Sequence, residues 1–293
     1  MRKLIVLALI ATSCWRNPDR KPVVVASKNF TESVILGEFL AQKLEKAGCT
    51  VERKANMGGT MLVDQALASG DVDAYVEYSG TALTAILKQP VTTHPSAVEG
   101  VVRGGYVKRD LVWGPPLGFN NTFAMIVRKQ DAQTRGLHAI SDLRKVGNEF
   151  RPGFGYEFVE RPDGWNGLLK AYNMTFAQAP KTMDLGLTYK ALAAGEIDLI
   201  AGNSTDGLID ALGLVALDDD LGYFPPYEAA PVYRKDIDEK CRNATRVLAA
   251  MGDAIDEAQM RRLNYEVDGN KRAVADVVRD FINAPRGASK AAR

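Results

Sequence analysis

An α/β fold of two lobes is predicted by three observations. Apolar runs of strand length alternate with stretches of helical period along most of the chain. The length, 293 residues, is enough for two domains with cores of their own, since one domain usually takes roughly 100 to 200. Finally, "ALAAGEIDLIAGNSTDGL", residues 191–208, lays without a gap on "ALASGDVDAYVEYSGTAL", residues 66–83. That match puts one helix, strand and helix unit in each half and sets Tyr78 against Asn203 at the exits of equivalent strands. The bland account is that "GDVD" and "GEID" are turns common to many α/β proteins.

Taken in order, Val23 to Ala26 reads as a short buried strand. A helix follows with Thr31 as its N-cap, and Val34, Ile35, Phe39, Leu40 and Leu44 repeat at helical spacing until Gly48 ends the run. Strand 50–55, helix 60–69 and strand 72–78 continue the alternation that gives a parallel sheet covered on both faces. "FAMIVR" at 123–128 is a further strand, and polar residues near 130–150 form a loop with a short helix at Ser141. A second series then runs through strand 154–159, helices 165–172 and 183–194, strand 197–201, helix 206–212 and strand 214–217. "GYFPPYEAAPVYRKD" returns the chain to the first lobe, where segments from Glu239 onward are helical in period and "RGASKAAR" is a frayed tail. The resulting division is 1–13 signal peptide, 14–22 linker, 23–122 with 229–293 lobe 1, and 123–228 lobe 2.

Lysine and arginine number 37 against 36 aspartates and glutamates, so the basic excess that nucleic acid demands is missing. "MRKLIVLALIATSC" has the basic start, short apolar core and small residues of an export signal, too short to span a bilayer. Cleavage falls before Cys14, which is read as a lipidation site although Ala11 stands where a lipoprotein box has leucine. Export permits a disulfide, yet Cys49 and Cys241 lie far apart and outside any CxxC pair, and are read as two unpaired thiols. His94 and His138 are the only histidines, so a His-rich metal site is excluded and catalysis starts from a low prior. Asp218, Asp219 and Asp220 lack the glycine and glutamate of a calcium loop and read as a solvated turn.

"SKNFTESVILGEFLAQ", "GGTMLVDQALASGDVDAYVEYSGTALTAIL", "GFNNTFAM", "RPDGWNGL", "STDGLI", "PPYEAAP" and "RRLNYEVD" together resemble the glycine betaine/choline-binding proteins of osmoprotectant ABC importers, the OpuC/ProX-type branch. The likeness runs in order from about Val23 to Ile282. It implies a two-lobed periplasmic-binding-protein fold of type II, with two crossing strands as hinge and one ligand held in the interlobe cleft. A trimethylammonium head carries full charge and no N–H, so ring faces hold it by cation-π attraction, about 0.5 to 2 kcal/mol per ring.

On this resemblance Tyr78 and Tyr227 match cage tyrosines, and Phe123 stands where the family usually has tyrosine. Asn203 replaces a further cage tyrosine and leaves the choice of ligand open; Trp165 and Phe119 are candidates to fill that wall, and Asn121 is a further candidate. Lys28, Arg161 and Thr81 match the groups that read a ligand carboxylate, with Glu157 orienting the arginine. Taken singly, each has an ordinary reading: Tyr78 half-buried packing, Lys28 a solvated charge, Arg161 half of a surface pair with Glu157 or Glu160. Together they imply an exported, lipid-anchored, monomeric receptor, without cofactor or catalysis, that delivers a quaternary-ammonium compound to an ABC permease. Glycine betaine leads because choline would leave Lys28 and Arg161 without an acidic partner; carnitine or ergothioneine would suit the Asn203 amide. A ligand-sensing module or an exported enzyme on the same fold are the rivals.

Overall fold

The computed structural model describes residues 21–284. The signal peptide, Cys14 and the tail expected to be frayed lie outside the described residues. The described chain forms two five-stranded sheets, ordered β2-β1-β3-β10-β4 and β7-β6-β8-β5-β9. In the first sheet β1 is Val23–Ala26, β2 Val51–Lys54, β3 Ala74–Tyr78, β4 Leu111–Trp113 and β10 Ala229–Arg234. In the second, β5 is Phe123–Arg128, β6 Pro152–Gly155, β7 Lys181–Met183, β8 Leu199–Asn203 and β9 Leu214–Leu217.

Along β1 every residue is buried. Val23 and Val25 enter one hydrophobic core while Val24 and Ala26 enter another, as side-chain alternation requires of a central strand covered on both faces. The first core lies beneath the helix Thr31–Lys46 and the C-terminal helices Glu257–Asp268 and Val274–Asn283. The second lies beneath the helices Thr60–Ser69 and Pro95–Val107.

The internal match is structural as well as textual. In the first sheet the Asp73 N–H donates to Val24 O at 2.8 Å, and Val24 N–H returns a bond to Asp73 Oδ2 at 2.7 Å. At the matched place in the second, Asp198 N–H donates to Arg151 O at 2.8 Å and Arg151 N–H returns to Asp198 Oδ2 at 3.0 Å. The matched units thus share a reciprocal hydrogen-bonded pair at equivalent positions as well as a turn motif. The repeat also sets the antiparallel partners: Ala229 of β10 faces Tyr78, and Phe123 of β5 faces Asn203. Two segments cross between the sheets and are stitched to each other where Asn120 bridges Glu228 and Asn121 N–H donates to Tyr227 O at 3.0 Å.

Several expectations need correction. Thr31 is the first helical residue, after Phe30, and its hydroxyl donates to Asp268 Oδ1 at 2.7 Å, because the helix Glu257–Asp268 brings an acceptor within reach. The strand expected over 154–159 stops at Gly155, and Tyr156–Glu160 is helical. Phe154 in β6 and Phe158 in the helix stack edge to face at 5.0 Å across that junction, and together they give the segment the look of one apolar strand in sequence. Cys49 and Cys241 are not unpaired thiols: they form a disulfide with Cα atoms 5.4 Å apart, across 192 residues of sequence. Packing of the C-terminal helices on the helix Thr31–Lys46 brings them together, which no local spacing reveals. The aspartate turn is also less solvated than expected: Asp219 accepts the Tyr172 hydroxyl and the Tyr223 and Phe224 N–H groups, the last two at 2.9 Å. Among the described residues no group of His, Cys, Asp and Glu is disposed to hold a metal.

Candidate functional site

A cavity of about 240 Å3 lies between the two sheets at the carboxyl ends of β1, β3, β6 and β8, where α/β sheets bind ligands. The first sheet contributes Lys28, Phe30, Thr60, Tyr78 and Thr81, and the second contributes Phe123, Glu157, Phe158, Arg161 and Asn203. Asn121 and Tyr227 come from the two crossings. All eight principal residues expected from the sequence line this one space. Of the three further candidates only Asn121 does. Trp165 packs 4.7 Å from Phe154 and 4.9 Å from Phe176 in the core of its own lobe, and Phe119 is likewise a core residue, so neither replaces the wall lost at Asn203.

Tyr78 and Tyr227 therefore face the same cavity. Tyr227 is held edge to face against Phe123 at 5.4 Å, and Phe123 meets Phe158 at 4.9 Å in the same manner, the geometry that ring quadrupoles favour. Tyr227 approaches the chain so closely that a Cβ on Gly80 would stand 2.7 Å from its Cε1 atom. Glycine in the short helix Ser79–Thr81 is what makes room for the ring. On the other side Phe30 and Tyr78 lie 6.1 Å apart.

Both cations stand on these rings. Lys28 Nζ is 4.9 Å from the Tyr78 centroid, and the Arg161 guanidinium is 5.3 Å from Phe123 and 5.7 Å from Tyr227. Neither is a surface charge, and each has a buried carboxylate partner. Lys28 bonds Glu77 Oε1 at 2.6 Å, and Arg161 bonds Asp163 Oδ1 and Oδ2 at 2.9 and 2.6 Å. The expectation that choline would leave these cations without an acidic partner is thus overturned, since the protein supplies one for each. Asp163 also accepts the Tyr227 hydroxyl and that of Thr84. Burial opposes the Arg161 charge, while Tyr227 and Asp163 hold its pKa above the usual guanidinium value.

Glu157 does not orient Arg161 through a side-chain bond. It reaches across to the first lobe, where Oε1 accepts Thr60 N–H at 2.6 Å and Oε2 accepts the Thr60 hydroxyl at 3.2 Å. The helix Thr60–Ser69 has Gly59 as N-cap and no capping side chain of its own, so its free N–H groups and positive dipole end attract the carboxylate. Asp163 takes the orienting role instead. Arg161 itself bridges the lobes, donating to the Thr81 and Thr84 hydroxyls at 3.1 and 3.3 Å. The two lobes are in contact on both sides of the cavity.

The sequence reading passed over Glu32, Glu77, Asp163, Phe30 and Phe158. All but Phe158 stood inside quoted motifs, but an acidic residue in a motif says nothing about which hydroxyl or cation it faces. Beside Asn203, burial pushes Asp206 up to about 6 against the pull of the Tyr189 hydroxyl and the Asn203 N–H.

Comparison with known proteins accords with this geometry. Residues 21–284 match the family described as the substrate binding domain of ABC-type glycine betaine transport systems. The ergothioneine transport permease/ergothioneine binding protein of Helicobacter pylori is 36% identical over 95% of this chain, which spans 51% of that protein's length. The carnitine transport binding protein of Listeria monocytogenes is 31% identical, over 95% of this chain and 93% of that one. A crystal structure titled as a glycine betaine/carnitine/choline ABC transporter superposes with a TM-score of 0.73 at 31% identity, covering 89% of this chain and 97% of the other. With its type II two-lobed fold, the chain belongs to the substrate-binding domain family of ABC-type glycine betaine transport systems.

Proposed function

We propose that this protein is an extracytoplasmic receptor, tethered by an acylated Cys14, that captures a quaternary-ammonium solute between its lobes and delivers it to an ABC permease. The observation that carries the reading is the convergence of Tyr78, Phe123, Phe158 and Tyr227 on one cavity that also holds Lys28 and Arg161. Ring faces attract a trimethylammonium group that has no N–H to donate. Thr81, Arg161 and Lys28 supply donors for a carboxylate at the ligand's other end. Contacts made by both lobes favour the closed state through differential affinity. The step is binding alone, with no bond made or broken.

Glycine betaine is the first ligand to test. A second reading, a trimethylammonium compound with an additional hydrogen-bonding group such as carnitine or ergothioneine, is favoured by Asn203, which lines the cavity beside its ladder partner Phe123. Calorimetric titration with glycine betaine, choline, carnitine and ergothioneine decides between them. Tyr78→Ala is expected to weaken the bound compound at least about fivefold, the equivalent of roughly 1 kcal/mol. Binding of none of the four would overturn the proposal. An increase in glycine betaine affinity on Asn203→Tyr would assign the native pocket to the larger ligands.

A further inference from the structure

Glu32 lies outside the cavity wall, yet its carboxylate is a meeting point of four parts of the molecule. Oε1 accepts the Tyr78 hydroxyl and Asn121 Nδ2, both at 2.7 Å. Oε2 accepts the Thr205 hydroxyl at 2.5 Å and Asn264 Nδ2 at 2.9 Å. Tyr78 ends β3, Asn121 lies in the first crossing, Thr205 follows β8 in the second lobe, and Asn264 belongs to the helix Glu257–Asp268. Glu32, Thr205 and Asn264 are each at most 1% exposed.

A carboxylate offers about four acceptor sites, and here all four are taken, so no bond is available to water. The two oxygens divide the labour. Oε1 holds two residues that line the cavity, Tyr78 and Asn121. Oε2 holds the second lobe to the C-terminal helix, an arrangement closed by a bond from Asn264 Nδ2 to Thr205 O at 3.0 Å. A carboxylate buried for core stability alone would need no partner from across the hinge.

We infer that Glu32 is a positioning residue that links the orientation of the Tyr78 ring to closure of the lobes, with the Thr205 hydroxyl as the contact made on closing. The inference rests on the proposal that the cavity binds solute through Tyr78. The Tyr78 ring turns about two side-chain torsions, and a fixed hydroxyl removes that freedom before a ligand arrives. Because the same carboxylate holds Thr205, the ring is set when the second lobe is in place.

The test uses the full-length protein and three variants, Thr205→Val, Thr205→Ser and Glu32→Gln. Two readouts are taken: small-angle X-ray scattering of the ligand-free protein, and calorimetric titration with each of the four compounds named above. Thr205→Val is expected to enlarge the radius of gyration and to weaken the compound that binds about tenfold. Thr205→Ser keeps the hydroxyl and is expected to restore both to within about twofold. Glu32→Gln puts an amide N–H against one donor pair and is expected to weaken binding by at least as much, with Thr205→Val adding less than about twofold on top of it, as coupled partners do. Independent, multiplying losses overturn the inference, as does a Thr205→Val protein that scatters and binds like the original. If Glu32→Gln does not fold, the Thr205 pair alone decides. If no compound binds, the functional proposal falls, and scattering still decides the closure contact.

Discussion

Replacing Glu157 by glutamine removes a charged contact between the second lobe and the N-terminus of a helix of the first. Glu157 accepts Thr60 N–H at 2.6 Å and the Thr60 hydroxyl at 3.2 Å, at the N-terminus of a helix with no capping side chain of its own. A hydrogen bond to a charged group contributes about 1.5 to 3 kcal/mol, against about 1 for a neutral pair. A negative charge at a helix N-terminus contributes a further 0.3 to 1 kcal/mol or so. Glutamine keeps one neutral acceptor, so the net loss is about 1 to 2 kcal/mol. The two partners sit on different lobes, and the loss therefore falls on the closed form alone. The dissociation constant of the bound solute should rise about 5- to 30-fold, while the melting temperature of the ligand-free protein changes little. Titration calorimetry on Glu157→Gln, with a thermal melt of the same sample, checks both. A change below twofold, or a fall in melting temperature that accounts for the lost affinity, would refute the reasoning.

Three further outcomes are expected. Asp206 has its pKa raised to about 6, against an unfolded value of about 3.9; the folded protein holds that proton more tightly, so the associated stability is complete below pH 4 and is lost as pH rises through 6. Asp206→Asn removes this dependence, so the variant should gain on the parent by about 2 to 3 kcal/mol between pH 4 and pH 7 in chemical denaturation; a pH-independent difference would sink this. Cys49→Ser opens a loop of 192 residues and should cost about 3 to 5 kcal/mol of unfolding free energy while solute affinity stays within twofold, since neither cysteine lines the cavity; an unchanged denaturation midpoint would show that the bond does not constrain the unfolded chain. Asp163→Asn leaves Arg161 buried beside the rings without its carboxylate, and should lower the stability of the ligand-free protein by about 3 kcal/mol or more. A carboxylate-bearing solute should recover part of that loss and choline should not, as ligand-induced shifts in melting temperature will show.

The fold was legible in the sequence wherever a local pattern carried it. Four apolar residues before a helical period marked β1, and the gapless repeat placed helix Thr60–Ser69 and β3 against Leu185–Ala193 and β8 in register. The repeat set Tyr78 against Asn203 at the ends of equivalent strands, while Phe123 and Tyr227 were legible only through the family resemblance, and Phe30 and Phe158 were not legible. Segments without a clear period were not: helix Pro95–Val107 and β4 fall where the sequence reading named no element, and Tyr156–Glu160 passed for a strand because it continues the apolar character of β6.

What the sequence determined is therefore the two-lobed α/β plan and its internal repeat and, through the family resemblance, Tyr78, Phe123, Tyr227, Lys28 and Arg161 among the rings and cations that meet between the lobes. Arg161 has its carboxylate partner Asp163 two positions away, but tertiary structure alone decided the partner of Lys28 and what crosses from one lobe to the other. Lys28 pairs with Glu77 across 49 positions, Glu157 with Thr60 across 97, and Glu32 with Thr205 and Asn264 across 173 and 232. Periodicity reports which face of an element is buried, because burial acts on each residue of a local segment in turn. The partner of a buried charge is chosen by desolvation once distant segments meet, and nothing in the neighbouring sequence encodes that meeting.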